Sequence, residues 1–332
     1  MTETVRVGYV LPSRELAVAG DLGTERLLAL ADMAASSGYD SLWVSDSPLG
    51  RARVDGLSLL AALAGRLPRM HLGTSVLIPA LRHPVMLAYV LASLDRLAPG
   101  RLTLGAGVGL PGPALSDQFA AVGLAADRPF ARMADTIAVC RRLWGAEGAV
   151  RPQSPFIDVA EPVDVQPRPS TPGGPPFWLG GTGPRARRLV ARHLDGWMPY
   201  LQDASRFRDG WDEIRQCAAD HGRPDGALSA AFVPTILIGQ SRRTAGELRE
   251  YCVRYYGCDP EELSLRRPGF FAGDTQACLE WLAPFVEAGA RTVILRFATL
   301  RSAEDQLLRT AEHIIPALRR LPSGRGTHQE NP

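Results

Sequence analysis

Short apolar runs alternate with helix-length amphipathic segments along this chain, and the alternation occurs eight times. The runs are VRVGYVL (5–11), SLWVSDS (41–47), HLGTSVLIP (71–79), RLTLGAGVG (101–109), FWLGG (177–181), DGWMPY (195–200), SAAFVPTILIG (229–239) and RTVILRFA (291–298). Several are apolar almost throughout, as strands of a parallel sheet covered on both faces must be. Eight such units in 332 residues predict an α/β fold, a (β/α)8 barrel with insertions. A doubly wound open sheet needs fewer units and is the weaker alternative. The stretch 151–176 has the Pro-rich composition of a linker, yet the alternation resumes beyond it. The expectation is therefore one barrel domain over 1–322 and a disordered tail over 323–332.

Composition removes several function classes. A formal charge of +2 argues against nucleic acid or a membrane surface as partner, and no apolar run approaches the length of a membrane span. All 37 basic residues are arginine, which excludes a lysine Schiff base and the lysine of a P-loop. The five cysteines form no C-x-x-C pair, so reduced thiols in the cytoplasm are expected, with no metal site. The chain opens directly on a strand-like run, without a secretory leader pattern.

In a (β/α)8 barrel the active site lies at the C-terminal ends of the strands. Those ends carry Asp46 and Ser47, Ser75 and Val76, Gly107, Val108 and Gly109, Gly180 and Gly181, Tyr200 and Arg296. Small residues dominate and predict a floor on which a flat ligand lies close to backbone. GAGVG (105–109) fails the G-x-G-x-x-G spacing and opens no helix, so it is not a dinucleotide site. GGTGPRA (180–186) joins a strand to a helix with Pro184 in its first turn. Gly180, Gly181, Thr182, Gly183 and Pro184 thus form a phosphate-binding turn at a positive helix end, with Arg185 adding charge. Asp46 is a candidate proton donor, base or orienting carboxylate, and Ser47 and Tyr200 complete the catalytic candidates. TAGE (244–247) reads as a capping box and Ser302 as the cap of the final helix. A further helix is expected over 274–288. Leu110, Leu115 and Phe119 suggest a partly apolar entrance. The segment 257–273, with Arg266 and Arg267, reads as a lid.

WVSD (43–46), TSVLIP with the following RHP, PGRLTLGAGVG (99–109), the R-x-x-D-x-I helix ending at Trp144, and PPFWLGGTGPRARRLVARHLDGW (175–197) occur in that order. With the GDT helix after Gly273 and IIPALR near the end, the series resembles the bacterial luciferase-like family, and most closely its branch that uses the deazaflavin coenzyme F420. The resemblance implies a cis peptide bond between Ser75 and Val76, under the cofactor's central ring. It also implies a cofactor phosphate at Gly180–Arg185, and Arg185, Arg187 and Arg188 near the cofactor's anionic tail. Alcohol dehydrogenases of that branch carry a histidine after the aspartate and a glutamate after the fourth strand, where this chain has Ser47 and Leu110. Alcohol oxidation is thereby disfavoured. The expectation is an F420H2-dependent reductase of an activated C=C or C=N bond, acting on a small-molecule or peptide-like substrate of secondary metabolism. Two alternatives stand beside it: an FMN-dependent monooxygenase, and a non-catalytic flavin- or partner-binding barrel. Relatives of this kind are often homodimers.

Overall fold

The computed structural model describes residues 4–321 apart from Arg51, Leu110, Pro111, Leu201, Asp225 and Arg267. The expected tail, the position of Leu110 and the Arg266–Arg267 side chains therefore lie outside what is described.

Ten parallel strands are present among the described residues: β1 (Arg6–Val10), β2 (Ser41–Val44), β3 (His71–Leu77), β4 (Leu102–Ala106), β5 (Phe177–Leu179), β6 (Gly196–Trp197), β7 (Ser229–Phe232), β8 (Thr235–Ile238), β9 (Phe270–Gly273) and β10 (Thr292–Phe297). β1 to β7 pair in sequence order, β7 pairs with β10, and β10 returns to β1, closing an eight-stranded barrel. The open-sheet alternative is thereby ruled out.

The seventh apolar run departs from the single strand expected for it. Pro234 has no N–H to donate, and the run divides there into β7 and β8. β7 pairs with β6 and β10, whereas β8 pairs with β10 and with the additional strand β9. That strand, FFAG, lies within the segment expected as a lid. The same segment also contains a helix over Pro260–Arg266. The capping box is displaced as well. Ser241 caps the helix Arg242–Tyr251 by accepting from the Thr244 N–H at 3.1 Å. Glu247 instead accepts from the hydroxyls of Thr299 and Ser302, so Ser302 sits at a helix start without capping it through its side chain. Asp274 does cap the helix Thr275–Glu287, as expected.

The barrel interior is filled by Val10, Trp43, Trp178, Met198, Val233 and Ile294. Trp43 and Trp178 lie 5.7 Å apart between ring centroids. Two indoles inside an eight-stranded barrel need room, and glycines on adjoining strands supply it. A Cβ at Gly73 would lie 2.4 Å from the Trp43 ring, and one at Gly196 would lie 2.5 Å from the Trp178 ring. The Pro-rich stretch is fastened to the barrel wall: the Thr171 N–H and hydroxyl both donate to the fully buried Asp95, at 2.7 and 2.8 Å.

His71 opens β3 with its Nε2 2.8 Å from the Thr103 hydroxyl. Burial, reinforced by the charges of Arg6 and Arg101, pulls its pKa down from 6.5 to about 4. The unfolded chain therefore takes up a proton that the folded chain refuses. Stability from this residue is present above pH 6.5 and falls by roughly 3 kcal/mol as the pH drops to 4. Urea denaturation across that range should show a steeper loss for the native chain than for His71→Gln, and parallel curves would refute this.

Candidate active site

A cavity of about 530 Å³ opens at the C-terminal ends of the barrel strands. Its floor follows from one irregularity. Thr74 pairs with Leu104 and Leu77 with Ala106, so three residue steps on β3 oppose two on β4. The extra residue makes a bulge at Ser75 and Val76, and the peptide bond between them is cis. The Val76 side chain lies against Gly107 and Gly180, where an added Cβ would stand 2.7 and 3.4 Å from its methyl groups. Glycine at both strand ends leaves the wall beside the bulge flat. Ser75, Val76, Gly107, Val108, Gly109, Gly180 and Gly181 all line the cavity. Leu115 lines the cavity, whereas Phe119, expected at the entrance, is wholly buried in the core and is not part of the lining.

Asp46 also lines the cavity, but its carboxylate is already engaged. Oδ2 accepts from Arg82 at 2.7 Å and from the Ile78 N–H at 3.0 Å, while Oδ1 accepts from Arg82 at 3.0 Å. Both oxygens face donors and the side chain is 2% exposed, so Asp46 anchors the chain just past the bulge. That geometry does not suit the free proton donor or base that the sequence left open. Ser47 donates to Gln118 at 3.2 Å. Among the described residues lining the cavity, none is a histidine.

The turn 180–185 joins β5 to a helix. Gly183 precedes the helix Pro184–His193 in extended conformation, and Pro184 stands in its first turn. The N–H groups of Thr182 and Gly183 donate to no backbone carbonyl among the described residues, so they are available to an anion. The cavity wall ends at Gly181; Thr182, Gly183, Pro184 and Arg185 lie beyond its rim. Of the three arginines considered for an anionic tail, Arg187 is committed elsewhere. It donates to the Thr182 carbonyl at 2.6 Å and pairs with Glu213 at 2.8 Å, bracing the turn. Arg185 and Arg188 are exposed.

The wall contributed by β1, β2 and β10 carries groups that sequence reasoning undervalued. A short helix, Ser13–Ala19, follows β1 directly and buries both Arg14 and Glu15. Arg296, at the end of β10, donates to Glu15 at 3.0 Å, to the Ser45 hydroxyl at 3.1 Å and to the Tyr255 hydroxyl. Arg14 stacks over the Tyr255 ring with its guanidinium carbon 3.6 Å from the centroid, and donates to the Tyr255 carbonyl. Tyr255 and Tyr256 come from a π-helical turn, Cys252–Tyr256, just before the expected lid. The Tyr200 and Tyr256 hydroxyls are hydrogen-bonded to each other. Burial pushes the Tyr255 phenol up to about 12 despite Arg296, so it stays protonated near neutral pH. The available signal was a charged pair, Arg14-Glu15, placed immediately after a strand with little turn-forming sequence between.

A barrel with such a cavity at its strand ends defines an enzyme of the (β/α)8 class. The luciferase-like monooxygenase family model matches residues 5–272, and the chain belongs to that family of oxidoreductases. It is 29% identical to the F420-dependent glucose-6-phosphate dehydrogenase of Microbacterium testaceum, over 96% of this chain and 99% of that one. It is 28% identical to the phthiodiolone/phenolphthiodiolone dimycocerosates ketoreductase of Mycobacterium bovis, over 68% of this chain and 65% of that one. Among solved structures, the monooxygenase RslO1 from Streptomyces bottropensis superposes with a TM-score of 0.79, covering 94% of this chain and 99% of that one at 21% identity. That likeness is one of fold.

Proposed function

We propose that this chain is an F420H2-dependent reductase that saturates an activated C=C or C=N bond. The observation that carries the reading is the flat floor, where Val76 rests between Gly107 and Gly180 beneath an open cavity. Such a floor suits a planar tricycle, and the turn with free N–H groups at Thr182 and Gly183 suits its phosphate. The F420-dependent relative supports the deazaflavin over FMN. F420H2 held there would supply two-electron hydride chemistry to the acceptor carbon, and the adjoining atom would need one proton. The chain's own part is to hold the ring, exclude water and deliver that proton. Tyr200 is the phenol assigned that part: it lines the cavity, and its hydroxyl is linked to that of Tyr256, which lines it too. Oxidation of an alcohol would need a base, and the described lining residues offer only Asp46, which Arg82 and Ile78 already hold.

Fluorescence titration of the purified protein tests the reading. F420 should bind at least about tenfold more tightly than FMN, a gap of about 1.4 kcal/mol. Preference for FMN, with oxygen uptake when reduced FMN is supplied, would replace the reductase with a monooxygenase.

A further inference from the structure

The wall opposite the phosphate turn holds more positive charge than the protein neutralises. Arg14, Arg53 and Arg296 all line the cavity. Arg14 and Arg296 are each 7% exposed, and the Nε atoms of all three are buried without a hydrogen-bond partner among the described residues. Guanidinium groups remain charged in proteins. The carboxylate set against them is Glu15, 2% exposed and bonded to Arg296. Asp46, the acidic residue of the lining, is matched by Arg82. Arg53 makes no hydrogen bond or ion pair among the described residues. Burial, together with the like charges of Arg296 and Arg14, holds it below the usual arginine range. Arg14 and Arg53 have no carboxylate partner among the described residues, and beside the paired Arg296 they are arranged at the cavity wall as an oxyanion receptor would be.

We infer that Arg14, Arg53 and Arg296 bind an anionic group, a carboxylate or phosphate, of the substrate. The topology separates this group from the cofactor's own phosphate. Arg14 follows β1, Arg53 follows β2 and Arg296 ends β10, three neighbouring strands of the closed barrel. Gly180 and Gly181 follow β5, four strands from β1 in either direction around the barrel. A ring lying on Val76 has the turn at Gly181 on one side and the arginines on the other. Tyr200 and Tyr255 stand beside Arg296, with ring centroids 6.0 and 5.8 Å from its guanidinium carbon. An anionic substrate held there is positioned with its reducible bond toward the floor. The inference rests on the cofactor placement proposed above, although the receptor itself does not require the cofactor.

The test therefore uses the cofactor-free protein and Arg53→Gln, a substitution that breaks no hydrogen bond or ion pair seen in the fold. Binding of benzoate, benzamide and inorganic phosphate is followed by calorimetry at constant ionic strength. Benzoate or phosphate should bind, neutral benzamide should not, and Arg53→Gln should weaken the anion about tenfold. Whichever anion is preferred identifies the group as planar carboxylate or tetrahedral phosphate. Equal binding of benzoate and benzamide, or an anion affinity unchanged in Arg53→Gln, would overturn the inference. A separate F420 titration distinguishes the two proposals. Arg53→Gln should leave F420 affinity within about threefold. A loss confined to F420 would assign the arginines to the cofactor's tail and overturn the substrate role.

Discussion

Asp46→Ala should lose about 3 kcal/mol of stability and, where still folded, bind F420 at least about tenfold more weakly. The substitution removes one member of a buried pair rather than both. Arg82, 19% exposed, would retain Asp55 at 3.5 Å as its one carboxylate and the Ile78 carbonyl at 3.4 Å, and the Ile78 N–H would lose its acceptor. Those two donors lie within a few residues of the bulge, so the floor should loosen before the barrel does. Denaturant titration measures the first effect and fluorescence titration the second. Asp46→Asn separates an anchor from a proton donor. As an anchor it fails in both measurements, because an amide NH2 then faces the Arg82 guanidinium. If stability and F420 affinity were both retained and only turnover lost, the carboxylate would belong to proton transfer.

Gly105→Ala should cost about 3 kcal/mol or more and sharply reduce the yield of folded protein. Its Cβ would lie 2.1 Å from the Thr74 carbonyl oxygen and 2.4 Å from the Met198 sulfur. The first is backbone inside a closed barrel, and the Thr74 hydroxyl already donates to the Gly105 carbonyl at 2.7 Å. Neither strand can yield without opening the ladder beside Ser75. Gly107→Ala, two residues on, serves as the control. Its Cβ would meet only a Val76 methyl at 2.7 Å, on a side chain able to turn aside. Stability should fall by no more than about 1 kcal/mol while F420 affinity falls about tenfold, because the floor is no longer flat. If both variants behaved alike in thermal melts and in F420 binding, the glycines would be packing residues with no separate part in the site.

Much of this was legible in the residue order. Continuous apolar runs announced parallel strands, and their small terminal residues marked the cavity floor, because both signals are local. Partnership across the barrel was not legible. Arg296 and Glu15 stand 281 positions apart, and nothing near either residue names the other. Asp46 was legible as a carboxylate at a strand end, but its Arg82 lies on a different strand–helix unit, so an anchor looked like a free carboxylate. Local rules also competed. At the start of the helix after β8, Ser241 and Thr244 both suit a cap, and the sequence alone favoured the one with glutamate three residues on. FFAG is too short, and too close to a helix cap at Asp274, to stand out as a strand.

The branching of the seventh strand has a consequence for how such a protein can diversify. The excursion between Ile238 and Phe270, which carries Tyr255 and Tyr256, leaves from β8 and returns as its neighbour β9. By strand geometry its two feet stand roughly 10–12 Å apart on one sheet. Its sequence and length can therefore be exchanged, as a cassette, without reopening the closed ring of strands. A transplant of the corresponding excursion from another barrel of this kind is a direct way to redirect which molecules are admitted above an unaltered redox floor.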